Sequence, residues 1–171
     1  MTAKPWTAWD KDAVRDWNPP MPHTKPTLTI PFELTGRNDM DSDNRTGYYV
    51  GARTKKDETF SVYRCIQQQL GTKRYIAHPV LIYFYWHECE NRGKRRDPDN
   101  IASANKQILD ALRGPTYRVK TPNGGYKLIH EPAYIREDDL VHVLDLRNKF
   151  DPDPPINKRW VDIWIIEWLG D

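Results

Sequence analysis

Apolar residues change their spacing several times along this chain. The first 26 residues show no periodic run: Trp6, Trp9 and Trp17 stand among Pro5, Pro19, Pro20, Pro22 and Pro26. Proline fixes φ and removes a backbone donor, so residues 1–26 read as an extended arm. Its tryptophans imply docking on the chain's own body or on a protein partner that the sequence does not identify. From residue 27 the pattern becomes that of a folded domain. "LTIPFEL" (28–34) alternates as a strand does, and "TGRNDMDSDNRTG" (35–47) follows as a polar loop. "KKDETFSVYRCIQQQL" (55–70) sets Phe60, Tyr63, Ile66 and Leu70 on one helical face, with Gly71 as its stop. "HPVLIYFYWHE" (78–88) is nearly continuous in aromatic and β-branched residues, which suits a central strand covered on both faces.

In the second half, Pro98 keeps Asp97 out of a helix, and Asp99 or Asn100 caps one that follows. Ile101, Ala104, Ile108, Ala111 and Leu112 supply its apolar face, and Gly114–Pro115 ends it. "TYRVKTPNGGYKLIHEP" (116–132) predicts a hairpin around Asn123–Gly124, inserted over about 115–132. "AYIREDDLVHVLDLRNKF" (133–150) begins as an acidic turn and continues as a strand. After the proline-rich "DPDPPINKR" (151–159), "WVDIWIIEWL" (160–169) forms a last strand, and no segment repeats. This order predicts one α/β domain over residues 27–171, a mixed β-sheet flanked by helices.

Composition narrows the class. A chain of 171 residues suits one domain with a proper core. No apolar run approaches the roughly 20 residues of a membrane span, and the N-terminus lacks the apolar stretch of a secretory signal. Cys65 and Cys89 are far apart without CxxC spacing, which points to a cytoplasmic protein and away from zinc. The net charge of +2 is too small to argue for nucleic acid, so the distribution of charge matters more. Cations gather at Lys55–Lys56, Lys73–Arg74, Lys94–Arg96 and between Arg113 and Lys127; acids gather at 39–43, 97–99, 137–139 and 151–153. Each cluster taken singly is what a solvated face looks like.

One stretch asks for more. In "KRRDPDNIASANKQILDAL" (94–112) three cations precede two aspartates and then a helix. Asp97 and Asp99 lie two apart in an extended segment, so both can point the same way. Two carboxylates this close repel unless a cation sits between them. Mg²⁺ suits the place, since it takes one or two carboxylates together with waters and substrate phosphate. A third acid is available in the cluster Glu137–Asp138–Asp139. Lys106 follows Asp99 by seven residues on the same helical side, and Asp110 follows Lys106 by four. As a surface ion pair Lys106–Asp110 contributes under about 1 kcal/mol; beside a metal site the ammonium stabilises charge on a phosphate. Other signals carry less. "DMDSDNRTGYYV" (39–50) imitates a calcium loop but has Asn44 for the glycine and Val50 for the glutamate. "WHECE" (86–90) lacks a second ligand pair and reads as a strand end reaching solvent. His130 and His142 read as ordinary surface or core positions.

The motif "RRDPDN", the helical Lys106, "LDAL" and the later pair Asp138–Asp139 together resemble the RusA family of Holliday-junction resolvases, common in phages and prophages. The resemblance covers about residues 28–168 and leaves the arm outside it. It implies homodimers that bind four-way DNA junctions and nick two opposed strands symmetrically, using Mg²⁺ or Mn²⁺. Carried over, Asp97, Asp99 and Asp139 match the metal-holding acids and Lys106 the catalytic lysine. Asn100, Asp110 and Asp138 match supporting polar positions, and Lys94, Arg95 and Arg96 would track DNA phosphates in the cytoplasm of a bacterium or phage-infected cell. Three departures stand out. The lysine follows Asp99 by seven residues, as in phage-type members, whereas short members use four. The gap from Leu112 to Asp138 is long because of the hairpin, whose Arg118, Lys120 and Lys127 either contact DNA or decorate the fold. The arm is additional. Two alternatives remain: a nuclease for flaps, forks or ordinary duplex, and a non-catalytic DNA-binding partner that keeps the fold.

Overall fold

The run that begins at Val80 is the centre of the sheet. In a computed structural model of the chain, residues 24–36, 45, 50–72, 74–88, 96–151 and 158–170 are described. The arm up to residue 23, most of the polar loop at 37–49, Cys89, Lys94, Arg95 and the proline-rich 152–157 lie outside them. Strand β1 (Leu28–Ile30) is short, β2 is Val80–His87, β5 is Val143–Phe150 and β6 is Trp160–Glu167. They form one sheet in the order β1-β6-β2-β5. The β2–β5 pairing is parallel and the other two are antiparallel, so the sheet is mixed. The fold is therefore α/β, as the order of elements implies. The alternation expected over 28–34 pairs only as far as Ile30, because Pro31 has no N–H to give a ladder.

Between the parallel strands the chain crosses over through helices α2 (Pro98–Ala102) and α3 (Asn105–Leu112), which join α1 (Val50–Leu70) on one face. Alternate residues of β2 (Val80, Ile82, Phe84 and Trp86) enter the main core with Val62, Tyr63 and Ile66 of α1 and Ile101, Ile108 and Leu112 of the crossover. Leu81 and Tyr83 turn the other way and pack with Trp164 of β6. Both faces of β2 are thus buried, which is why its sequence shows a continuous run rather than alternation. Among the described residues no helix is long and apolar enough to cross a membrane.

The crossover helix is not continuous. Ala104 N–H donates to Ile101 O at 2.9 Å, Lys106 N–H to Ser103 O at 3.4 Å and Gln107 N–H to Ala104 O at 3.2 Å. These i→i+3 bonds tighten the winding between α2 and α3, and Ser103 Oγ donates back to Asn100 O at 2.6 Å. Counting seven residues at α-helical pitch from Asp99 to Lys106 therefore misjudges their relative direction.

The inserted hairpin forms β3 (Thr116–Lys120) and β4 (Tyr126–His130), a separate two-stranded sheet. Its turn is wider than an Asn-Gly pair: Gly124 N–H donates to Thr121 O at 3.0 Å and Thr121 N–H to Gly125 O at 2.8 Å. Pro122 takes the second position of this turn, and Gly124, at φ 80°, takes the left-handed one. Gly114, at φ 83°, passes so close to the hairpin's return that an added Cβ would sit 2.2 Å from Glu131 O.

Candidate active site

Helix α3 carries Lys106 in its first turn and Asp110 one turn later, and Lys106 Nζ lies 2.9 Å from Asp110 Oδ1. A second acid reaches the same ammonium, because Lys106 also donates a hydrogen bond to Asp138 Oδ2. Arg113, just past α3, donates to Asp138 Oδ1 at 3.0 Å and stands 3.1 Å from Glu137 Oε2. Lys55 of α1 stands 3.5 Å from the other oxygen of Asp110. The result is an alternating chain of charge, Lys55–Asp110–Lys106–Asp138–Arg113–Glu137, that ties the acidic turn to two helices. Burial opposes the charge on Lys106, but Asp138 and Asp110 outweigh it and raise its pKa. Burial also opposes ionisation of Asp138, whose carboxyl is nonetheless held below its ordinary range by Lys106 and Arg113. A cleft of about 300 Å³ opens beside this chain, lined by Lys55, Lys56, Phe60, Asp110, Arg113 and Thr116 among others.

Asp97 occupies the N-cap of α2 in an extended conformation, with Pro98 at the first helical position. The cap is thus Asp97 itself, and neither Asp99 nor Asn100 fills that place. Its side chain makes no capping hydrogen bond; Asp99 follows in the first turn, where the helix dipole favours an acid. Both carboxylates are exposed, and neither is bonded to another described residue. Asn100 is buried beneath Gly36, where an added Cβ would sit 2.4 Å from Asn100 Oδ1. It supports the start of the helix.

Arg96 departs from the expected phosphate-tracking role. Its side chain is 7% exposed and folds inward onto Glu88, with Nε–Oε2 at 3.3 Å and a terminal nitrogen 2.6 Å from Oε1. It also donates to Leu34 O. Arg159 lies 3.0 Å from Glu88 Oε2 and donates to Glu33. Arg96 thereby pins the segment before Asp97 to the end of β2. Lys94 and Arg95, the other two expected DNA contacts, lie outside the described residues.

Asp139 is placed differently again. Its Oδ1 accepts the N–H groups of Val141 at 3.1 Å and His142 at 3.0 Å, and stands 2.6 Å from His142 Nδ1. The hydrogen bond to His142 holds its carboxyl below the ordinary range. Asp139 thus organises the turn that leads into β5, at the end of the sheet where β2 begins, since Val80 N–H donates to His142 O. Asp97 is tied through Arg96 and Glu88 to the end where β2 finishes. Among the described residues no three His, Cys, Asp or Glu side chains lie close enough to hold one metal ion. The structure therefore joins Lys106, Asp110 and Asp138, keeps Asp97 and Asp99 together at the head of α2, and does not bring Asp139 to them. Asp97 and Asp99 alone offer what Mg²⁺ accepts: hard oxygen donors, exposed, with solvent free to complete the coordination.

Sequence reasoning missed His87. It is 9% exposed rather than at an open strand end, with Nδ1 2.7 Å from Asp151 Oδ2 and Nε2 3.0 Å from Asp162 Oδ2. Each nitrogen faces a carboxylate, an arrangement that favours the imidazolium form, in which both nitrogens donate. It stacks on Trp160 with centroids 4.1 Å apart. Burial disfavours this charge, but the bonds to Asp162 and Asp151 outweigh it and raise the pKa. Asp162, the one charge inside β6 before its terminal Glu167, was the available signal. No protein-family model matches the sequence, and no curated protein matches it.

Proposed function

We propose that this chain is a Mg²⁺-dependent endodeoxyribonuclease selective for branched DNA, acting as a homodimer on four-way junctions within the cell. The observation that carries this reading is the pair Asp97–Asp99, two exposed carboxylates without a described partner at the head of α2, in the crossover whose second helix, α3, carries Lys106. Two carboxyl groups without a counter-charge at such spacing suit a divalent cation, and Mn²⁺ has the same donor preference. Bound there, the cation supplies Lewis-acid polarisation of a phosphate and acidifies water. Asp97 and Asp99 hold and orient it, Asn100 and Arg96 fix the segment that carries them, and Lys106 supplies positive charge. Asp110 and Asp138 keep that ammonium charged and aimed. Asp139, the second acid of the expected pair, shapes the turn that delivers Asp138.

A second reading draws on a different observation. Lys106 is already closed by two carboxylates and Asp139 by His142, as suits a DNA-binding protein that keeps the fold without cutting. Incubating labelled junction, fork, flap and duplex with Mg²⁺ or Mn²⁺ separates the two readings. The nuclease reading expects cleavage of branched substrates, junctions foremost, with Asp99→Asn reduced to background. Binding without cleavage under either metal would leave the second.

A further inference from the structure

Hairpin β3–β4 touches its own domain through Tyr117 on one face and leaves the other face to solvent. In its register Tyr117 pairs with Ile129, Arg118 with Leu128, Lys120 with Tyr126 and Thr116 with His130. Side chains alternate across a strand, so Thr116, Arg118 and Lys120 share a face with Tyr126, Leu128 and His130. All six are exposed, Tyr126 at 70% and Leu128 at 50%. The opposite side fastens the hairpin: Tyr117 meets Phe60 of α1 edge-on at 5.4 Å and its hydroxyl donates to Glu131 at 3.0 Å. Glu131 N–H donates to Pro115 O at 3.1 Å, and on the outer face Thr116 Oγ1 lies 3.0 Å from His130 Nδ1 across the two strands. The ribbon is thus held firmly at its root while its outer face stays bare.

The chemistry of that face selects its occupant. Arg118 and Lys120 are the charges of this face, Lys127 stands on the other side of the ribbon, and no acidic residue occurs between Asp110 and Glu131. Protein interfaces deplete lysine at their centres, whereas a polyanion needs cations with interleaved aromatic and apolar groups. A two-stranded ribbon of about 17 Å, five residues at 3.4 Å each, also fits a DNA major groove about 12 Å wide. The root of the ribbon, Pro115 and Thr116, lines the cleft with Lys55, Asp110 and Arg113, so a duplex lying on the ribbon passes beside the Lys55–Asp110 end of the charge chain. We infer that the Arg118–Lys120–Tyr126–Leu128 face of the hairpin docks duplex DNA and sets the position of one arm of the substrate. This rests on the reading of the chain as a DNA-processing protein.

The test uses the full chain, without divalent cation, and the fluorescence anisotropy of a labelled duplex and a labelled four-way junction over a salt series. Arg118→Gln/Lys120→Gln removes two charges from the face, and Tyr126→Ala removes its aromatic. Lys25→Gln/Arg74→Gln removes the same charge from segments outside the hairpin. Every phosphate that a variant no longer neutralises makes the dependence of log K on log salt shallower by about 0.9, so the hairpin variant should be shallower by about 2 and bind at least about tenfold more weakly. Tyr126→Ala should weaken binding without changing the slope. The control should stay near wild type, and melting curves should show all the variants folded. Equal affinity and slope in the hairpin and control variants would overturn the inference. So would hairpin-dependent capture of phosphatidylserine vesicles with no binding to duplex. Hairpin-dependent binding by a protein that never cleaves in Mg²⁺ would keep the ribbon and remove the nuclease reading, and absence of DNA binding would remove both.

Discussion

Arg96 stands in a row of cations beside Asp97, and nothing local distinguishes it from a phosphate contact. Its bonds to Glu88 and to Leu34 O make it an internal strut. Arg96→Ala leaves Glu88 its second partner, Arg159, but takes away one of its donors and the donor to the buried Leu34 O, at a cost of about 1–3 kcal/mol. Urea unfolding of Arg96→Ala should show a loss of that order. An unchanged midpoint would return Arg96 to the surface. The Lys106–Asp110 pair was legible because the chemistry of an i,i+4 helical pair is local. Its third partner, Asp138, was not, because the contact spans 32 residues and a hairpin. Lys106→Met should slow junction cleavage about a hundredfold, as loss of one group stabilising developing charge does, while binding in the absence of metal changes little. A fall in binding to match the fall in rate would make Lys106 a DNA contact instead.

Elements were easiest to foresee where the pattern had a single cause. The centre strand, α1 and the last strand all follow from apolar spacing. The break between α2 and α3 did not, because Ser103 and Ala104 are both compatible with a helix and only the i→i+3 bonds reveal the tighter turn. The junction of α3 with the hairpin depends on Gly114. An alanine there adds about 1–2 kcal/mol of left-handed strain and presses on Glu131 O, so Gly114→Ala should lower the melting temperature well beyond that of a surface glycine such as Gly125. Strands β2, β5 and β6 meet at the His87 clamp, which makes stability depend on pH. His87 has a folded pKa above its unfolded value, so its contribution is complete below about 6.5 and fades as pH rises through the folded pKa. Asp162 is shifted downward: burial works against that shift, and the bonds from His87, Thr29 and Trp160 prevail. Its contribution is present above about 4 and fades as pH falls through its folded pKa. Unfolding free energy from the clamp should therefore be greatest between those limits. His87→Gln should flatten the decline on the alkaline side, and an unaltered pH profile would show that the clamp contributes nothing to stability.

At the scale of the whole molecule, the sheet explains why part of the candidate site was invisible in sequence. Asp97 and Asp99 belong to the segment anchored where β2 ends, and Asp139 to the turn where β2 begins. A motif read as one set of acids thus draws on both ends of the crossover between β2 and β5, which spacing along the sequence does not reveal. Two coordinated nicks in a symmetric junction call for two sites related by a two-fold axis, which one chain does not provide. The most direct measurement is digestion of a supercoiled plasmid carrying an extruded cruciform, in Mg²⁺, by wild type and Asp99→Asn. Paired symmetric nicks at the cruciform base convert the circle to linear DNA without accumulating nicked circles, and the account predicts this product from wild type alone. Intact supercoiled plasmid after digestion by wild type, or the same products from both proteins, would contradict it.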